Sequence, residues 1–249
     1  MINRFGHIAI SPHMKPVAIF RHAPTEGPGY FATVLERHGI AWQVIGVDAG
    51  EAVPRDPRAF SGLAFMGGPM SVNDDLPWIA PVLKLIADSA GAGVPVLGHC
   101  LGGQLMSKAL GGAVTRNPVK EIGWGEVALV DTPAARQWFG HAAPSFTSFH
   151  WHGEIFTVPP GAERVLENQY CGNQAFALGK HLGMQCHIEM TPDMITSWCE
   201  TGAREISRSK SPAVQSVAAI KAGRERHLAA LHAVADGVYA RWIKGLQGD

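Results

Sequence analysis

Cys100 is the residue whose setting most directly suggests chemistry. It lies in Val94-Pro95-Val96-Leu97-Gly98-His99-Cys100-Leu101-Gly102-Gly103-Gln104. An apolar, β-type run ends in a glycine, the cysteine follows two residues later, and a glycine pair leads into the helix-like Gln104 to Leu110. Strand, tight turn and helix form a nucleophile elbow, in which small flanking residues let a sharp turn lift one side chain above the sheet edge. At a helix N-terminus, the dipole and the free N–H groups favour negative charge on sulfur. A free cysteine more often packs as a small hydrophobe, but packing alone requires no flanking glycines. Cys100 is therefore read as a nucleophile.

A sulfur nucleophile needs a base, and the base needs an orienting group. His187-Ile188-Glu189 offers both within one short segment. Residues two apart on an extended strand point to the same side, so Glu189 can hold the imidazole of His187 while the ring faces Cys100. Taken alone, a His-x-Glu pair is more often an ordinary surface pair or a satisfied histidine.

The elements that must position these groups alternate. Pro16–Phe20 reads as a buried strand, Tyr30–His38 as a helix, Ala41–Val47 and Leu63–Met66 as strands, Trp78–Ser89 as an amphipathic helix and Val94–Leu97 as the strand of the elbow. Short apolar strands alternating with helices predict a mainly parallel, doubly wound α/β sheet with helices on both faces. Beyond Leu110 the pattern changes. Gly125–Val130, Phe146–Trp151, Arg164–Glu167 and Ala175–Leu178 read as strands of a small antiparallel β part, with a short helix near Ala134–Phe139. Leu182–His187 is expected to return to the main sheet. Met194–Glu205 and Val214–Leu246 are predicted helices, the second broken near Gly223 or Gly237. Residues 1–15 read as an N-terminal extension with poor order, and residues 16–249 as a single domain without repeat or linker.

Three segments together resemble the class I glutamine amidotransferases. Gly98-His99-Cys100-Leu101-Gly102-Gly103-Gln104 is similar to their G-x-C-x-G-x-Q signature, and Met184-Gln185-Cys186-His187-Ile188-Glu189 to their G-x-Q-x-H-x-E segment. Phe65-Met66-Gly67-Gly68-Pro69-Met70-Ser71-Val72 resembles their G-G-P-x-S loop. The nearest flavour is the stand-alone relatives of the GMP synthase amidotransferase domain. The resemblance implies a flavodoxin-like fold and a Cys100, His187 and Glu189 triad. In that scheme Cys100 attacks the side-chain amide of glutamine, or a related γ-glutamyl compound, and forms a γ-glutamyl thioester. His187, oriented by Glu189, protonates the leaving nitrogen and then activates water. The backbone N–H groups of Gly68 and Leu101 are the implied oxyanion hole, and Gln104 the glutamine that helps hold substrate. Two departures stand out: Ile188 replaces a frequent proline, and Trp151-His152-Gly153-Glu154 stands where the family often has S-H-G-D. Those four residues are the remaining substrate-binding candidates, with Trp151 placed to reshape the pocket.

Composition narrows the alternatives. The 249 residues carry 21 basic and 21 acidic side chains, so no nucleic-acid or membrane partner is expected. Met1–Lys15 lacks the apolar core of a signal peptide, and no uncharged apolar run of ~18 residues appears. The four cysteines form no C-x-x-C pair. Together these predict a cytoplasmic protein with free thiols. His150-Trp151-His152, joined by His187 and Glu189, raises a metal alternative. Among 12 histidines, however, close pairs arise by chance, and neither metal nor cofactor is expected. No G-x-x-x-x-G-K-[ST] phosphate loop is present, and roughly 50 residues beyond the His-x-Glu region are too few for an ATP-using synthetase domain. The expectation is thus a small-molecule hydrolase. The alternatives are a glutaminase subunit feeding ammonia to a separate synthetase chain and a non-catalytic regulatory module.

Overall fold

The computed structural model describes residues 14–246. The extension expected over residues 1–15 lies, apart from Met14 and Lys15, outside the described residues. In chain order the elements are β1 (Val17–Arg21), α1 (Gly29–Arg37), β2 (Trp42–Gly46), β3 (Gly62–Phe65), α2 (Ile79–Gly91), β4 (Val96–His99) and α3 (Leu101–Ala109). Next come β5 (Val114–Leu129), α4 (Pro133–Phe139), β6 (Ser145–Phe156), β7 (Glu163–Glu167), β8 (Ala175–Leu178) and β9 (His181–Met184). The described chain closes with α5 (Pro192–Thr201), α6 (Ala203–Arg208), β10 (Ala213–Val214) and α7 (Val217–Ile243).

The ten strands among the described residues join one sheet in the order β10-β5-β7-β8-β9-β4-β3-β1-β2, with β6 paired to β5. The run β2-β1-β3-β4-β9 is parallel throughout. From β9 onward through β8, β7, β5 and β6 the pairing is antiparallel. Alternation along β1 shows why both faces need cover. Val17 and Ile19 enter one core with Phe31 and Leu35 of α1 and Tyr239 and Trp242 of α7. Ala18 and Phe20 enter the other with Val82 and Leu85 of α2 and Leu105 of α3. A strand buried on both sides reads as a continuous apolar run, as Val17–Phe20 does.

Several elements differ from their sequence reading. Strands β5 and β6 begin earlier and run longer than expected, because polar residues interrupt their apolar alternation. Pro118 lies where the β5–β6 register shifts, between Arg116 and Glu121, an irregularity that suits a residue unable to donate to the ladder. Helix α7 runs unbroken past both suspected glycines. They are points of close packing: a Cβ at Gly223 would lie 2.3 Å from Trp124, and one at Gly237 would lie 2.1 Å from His141. The helix expected over Met194–Glu205 is instead α5 and α6, which part at Gly202, and β9 ends at Met184 before reaching His187. All four cysteines are free and buried. No helix among the described residues is long and apolar enough to cross a membrane.

The packing of α3 on the sheet is the tightest constraint. A Cβ on Gly102 would stand 2.0 Å from the carbonyl oxygen of Phe65 at the end of β3. Backbone cannot yield as a side-chain tip can, so Gly102→Ala is expected to destabilise the protein by on the order of 3 kcal/mol. Urea unfolding should show a lower midpoint with an unchanged slope.

Candidate active site

Cys100 joins β4 to α3 with φ 51° and ψ −107°, and is the only non-glycine residue with positive φ among those described. L side chains rarely occupy this region, and holding one there costs about 1–3 kcal/mol. Hydrogen bonds fix the turn. The Cys100 backbone N–H donates to Met184 O at 2.8 Å, anchoring the elbow to the end of β9. The thiol lies 3.8 Å from Trp151 O, and Gln185 Nε2 approaches the sulfur at 3.6 Å.

His187 lies just beyond β9. It is held by a two-way backbone pairing with Phe149 of β6 and by the Ser148 hydroxyl, which donates to its carbonyl. Its ring stands edge-on to Trp198 at a centroid distance of 4.9 Å. The Nδ1 nitrogen is 2.6 Å from Glu189 Oε1, and both side chains are 1% exposed. A carboxylate only accepts, so Nδ1 carries the proton and Nε2 is left with no hydrogen-bond partner among the described residues.

Burial opposes charge on both members of this pair, yet their mutual attraction prevails. Burial alone would lower the pKa of His187; the carboxylate of Glu189, reinforced by Cys100, raises it well above the usual imidazole range. Burial alone would raise Glu189; His99 and His187 draw it down to about 2. His99 reaches Glu189 Oε2 at 3.7 Å and shares a hydrogen bond with the Tyr239 hydroxyl at 3.0 Å. A line of polar groups thus runs from α7 to the elbow.

A cavity of ≈ 780 Å³ opens over these groups, lined by Cys100, His187, Gly68, Gln104 and the stretch from Trp151 to Glu154. The sequence-predicted site residues are therefore gathered in one place, with Leu101 and Glu189 buried behind the wall. Gly68 packs over the elbow, where a Cβ would lie 2.7 Å from Leu101 Cδ2. Leu101 opens α3, so its N–H belongs to the first turn that lacks intrahelical carbonyl partners. Gln104 turns its amide to Gln185 Oε1 at 3.2 Å. Trp151 is pinned sideways, with Nε1 donating to Glu205 Oε2 at 2.9 Å and its ring filling the space beside Gly202. Glu154 accepts a hydrogen bond from Ser71 at 2.9 Å. His152 lines the cavity too, but its ring nitrogens address Glu154 O and the Glu121 carboxylate. Neither His150 nor His152 joins His187 and Glu189 in the metal-binding set considered from sequence. They meet Glu121 instead.

Sequence reasoning passed over several residues in or behind the cavity wall. Glu26, in the loop after β1, reaches the space above Gly67 next to His187. Burial, resisted by His187 and assisted by Glu189, pushes its carboxyl up to about 7. Its position at the carboxyl end of a parallel strand, where doubly wound sheets build their sites, was the available signal. His99 and Gln185 were inside quoted motifs but had no assigned role. Trp198 and Glu205 come from helices whose sequence carries no catalytic signature.

A cysteine at a strained strand-to-helix turn beside a buried His–Glu pair is the layout of a thiol-dependent acyl-transfer site. Residues 32–198 match the glutamine amidotransferase class-I family, and the chain belongs to that family. It is 29% identical over 208 residues to YfeJ of Salmonella typhimurium, described as glutamine amidotransferase-like, covering 81% of this chain and 87% of that one. It is 35% identical over 134 residues to the glutamine-hydrolysing GMP synthase of Lactobacillus acidophilus, covering 52% of this chain and 24% of the synthase. The chain thus spans about a quarter of the GMP synthase it matches. The crystal structure of a glutamine amidotransferase from Methylobacillus flagellatus superposes with a TM-score of 0.92 at 44% identity, covering 95% of this chain and 97% of that one.

The coupling between His187 and Glu189 is testable by titration. In Glu189→Gln the imidazole loses its counter-charge, and the His187 NMR titration midpoint should fall steeply. Because the folded-state pKa of Glu189 lies near 2, below its usual 4.5, its stabilising contribution is complete above 4.5 and lost as pH falls toward 2. The stability gap between wild type and Glu189→Gln, measured by urea unfolding across this range, should therefore narrow on acidification.

Proposed function

We propose that this protein hydrolyses the side-chain amide of glutamine, or a related γ-glutamyl amide, through a thioester on Cys100. The observation that carries the reading is the pairing of two features on one cavity wall: the strained elbow at Cys100 and the 2.6 Å His187–Glu189 hydrogen bond. With Nδ1 committed to Glu189, Nε2 is the ring atom free to exchange protons with sulfur and substrate.

With the thiol proton already held on His187 Nε2, as the raised pKa of that ring favours, the Cys100 sulfur attacks the amide carbon. The C=O π electrons move to oxygen, and the N–H groups of Gly68 and Leu101 stabilise the oxyanion. As the carbonyl re-forms, the C–N bond breaks and His187 returns the proton to nitrogen, releasing ammonia or an amine. Water then attacks the thioester with His187 as base, the C–S bond breaks, and the acid product leaves with the thiol restored. Glu189 stays ionised throughout and stabilises the imidazolium. Glu26, its carboxyl pushed up to about 7 and so partly protonated at neutral pH, offers an O–H donor to a polar substrate group near His187. Trp151, Gly153 and Glu154 shape the far side of the cavity, where the substrate's α-amino and carboxylate groups are recognised.

Similarity to a quarter of a GMP synthase supports a second reading: a glutaminase subunit that passes ammonia to a separate synthetase chain. The two readings separate on one assay. Purified protein is incubated with glutamine and with γ-glutamyl peptides, with Cys100→Ala as control. The hydrolase reading expects acid product from at least one substrate without a partner, and a loss of on the order of 10⁴-fold or more in Cys100→Ala. Activity only after addition of a synthetase chain supports the second reading. Equal turnover by Cys100→Ala overturns the thiol mechanism. Glu26→Gln, which keeps a donor, should retain more of kcat/KM than Glu26→Ala.

A further inference from the structure

Glu121, His150 and His152 form a buried cluster that the reaction above does not use. They are 3%, 1% and 5% exposed. Glu121 of β5 is directly opposite His152 of β6, and Gly123 is opposite His150, so strand alternation sets all three on one face. Gly125 makes room for the first ring: a Cβ there would lie 3.0 Å from His150 Nε2.

The protons on both rings can be placed. His150 Nε2 faces Gly125 O at 3.3 Å, and His152 Nδ1 faces Glu154 O at 3.1 Å. A carbonyl only accepts, so those nitrogens carry hydrogen and leave lone pairs on His150 Nδ1 and His152 Nε2. These two atoms lie 3.5 Å from Glu121 Oε2 and 3.7 Å from Glu121 Oε1 respectively. Neither has a hydrogen-bond partner among the described residues. The carboxylate is steadied from elsewhere, by Asn168 Nδ2 at 2.7 Å and Gln174 Nε2 at 3.2 Å.

Two lone pairs facing a carboxylate in a buried cluster repel one another unless a cation or a shared donor lies among them. One proton on Glu121 would satisfy a single ring and orphan the other. The spacing is close to that of shared ligands: bonds of about 2.0–2.2 Å give tetrahedral edges of roughly 3.3–3.6 Å. All three donor atoms lie within 4.8 Å of one another.

We propose that Glu121, His150 and His152 bind a divalent first-row transition metal ion, with zinc the best match to two imidazoles and a carboxylate. The carbonyls that fix each tautomer and the amides that steady Glu121 are the outer partners such sites carry. A neighbouring cavity of ≈ 250 Å³, bounded by Glu121, His150, Asn168 and Gln215, provides a route in and room for a water as fourth ligand. The ion clamps β5 to β6 beside the catalytic cavity, since Trp151 stands between the two histidines and offers its carbonyl to the Cys100 thiol.

The full chain, treated with chelator, is titrated with Zn²⁺ by calorimetry and with Co²⁺ by visible absorption. Cys100→Ser runs alongside, because a thiol beside His187 offers zinc a second place to bind. The expected result is one ion per chain in wild type and in Cys100→Ser, with thermal unfolding shifted up by several degrees. Glu121→Gln and His150→Gln should each weaken binding by about 100-fold or more, beyond the roughly 10–100-fold that loss of an outer partner costs. Circular dichroism reports whether each variant folds. If one does not, Asn168→Asp, which keeps the oxygen that accepts from the Tyr170 and Cys171 N–H groups and removes the amide donor to Glu121, should weaken binding by roughly 10–100-fold. Absence of zinc binding by wild type, unchanged affinity in the folded variants, or binding that vanishes in Cys100→Ser would each overturn the proposal.

Discussion

The structure depends on how closely the turn at Cys100 approaches the strands on either side of it. The backbone N–H of Cys100 reaches Met184 O at 2.8 Å, while Gly102 lies against the carbonyl of Phe65 with no room for a Cβ. β3, β4 and β9 are thereby drawn around one point, and the sheet cannot relax the turn without losing that packing. The left-handed backbone at Cys100 follows. A residue that prefers another conformation is held by contacts made through its neighbours, and its strain of about 1–3 kcal/mol is spread over a well-packed core. The same approach brings Gln185, one residue past β9, to the sulfur and sets His187 two residues further on.

His187 and Glu189 pose a second physical problem, since a buried ion pair gains from attraction only if its members stay hydrogen-bonded. Here the strand ladder supplies the rigidity. His187 is tied to Phe149 through its backbone, and the carbonyl of Glu189 accepts from the Tyr30 N–H at 2.7 Å. Side chains carried on a backbone fixed at both ends hold their geometry without reorganising when charge moves, as preorganised catalysis requires. His99 and Tyr239 extend the polar line to α7, so that helix contributes to the environment of the His187–Glu189 pair as well as to the core.

The parallel half of the fold was legible because doubly buried strands leave short, uniform apolar runs, and Val17–Phe20, Leu63–Met66 and Val94–Leu97 all do so. The elbow was legible for a related reason: glycines at 98, 102 and 103 mark sites where backbone approaches backbone. The antiparallel half was harder to read. In β5 a proline, an asparagine and alternating charges obscure the strand, and its Glu121 is buried against partners far away in sequence, Asn168 and Gln174. Glycines misled where their neighbour was a side chain from another element. Gly223 and Gly237 look like helix breaks until Trp124 and His141 occupy the space beside them. Glu26 escaped because nothing in its own loop signals chemistry; its altered acidity comes from burial and from Glu189, a residue 163 positions away, against the opposing pull of His187.

Strand β6 shows why local reading stops short of assigning roles. His-x-His sets two imidazoles on one face, but from sequence their acidic partner was sought in the His187-Ile188-Glu189 segment. Cross-strand register decides otherwise. Glu121 pairs with His152 because the ladder slips between Arg116 and Glu121, and without that slip a different residue would stand opposite. The irregularity at Pro118 therefore does more than interrupt hydrogen bonding. It brings a carboxylate to two imidazoles on one face of β6, while Trp151, between them, is turned toward Trp198 and Glu205. One strand thus serves two polar centres, with alternation alone keeping them apart.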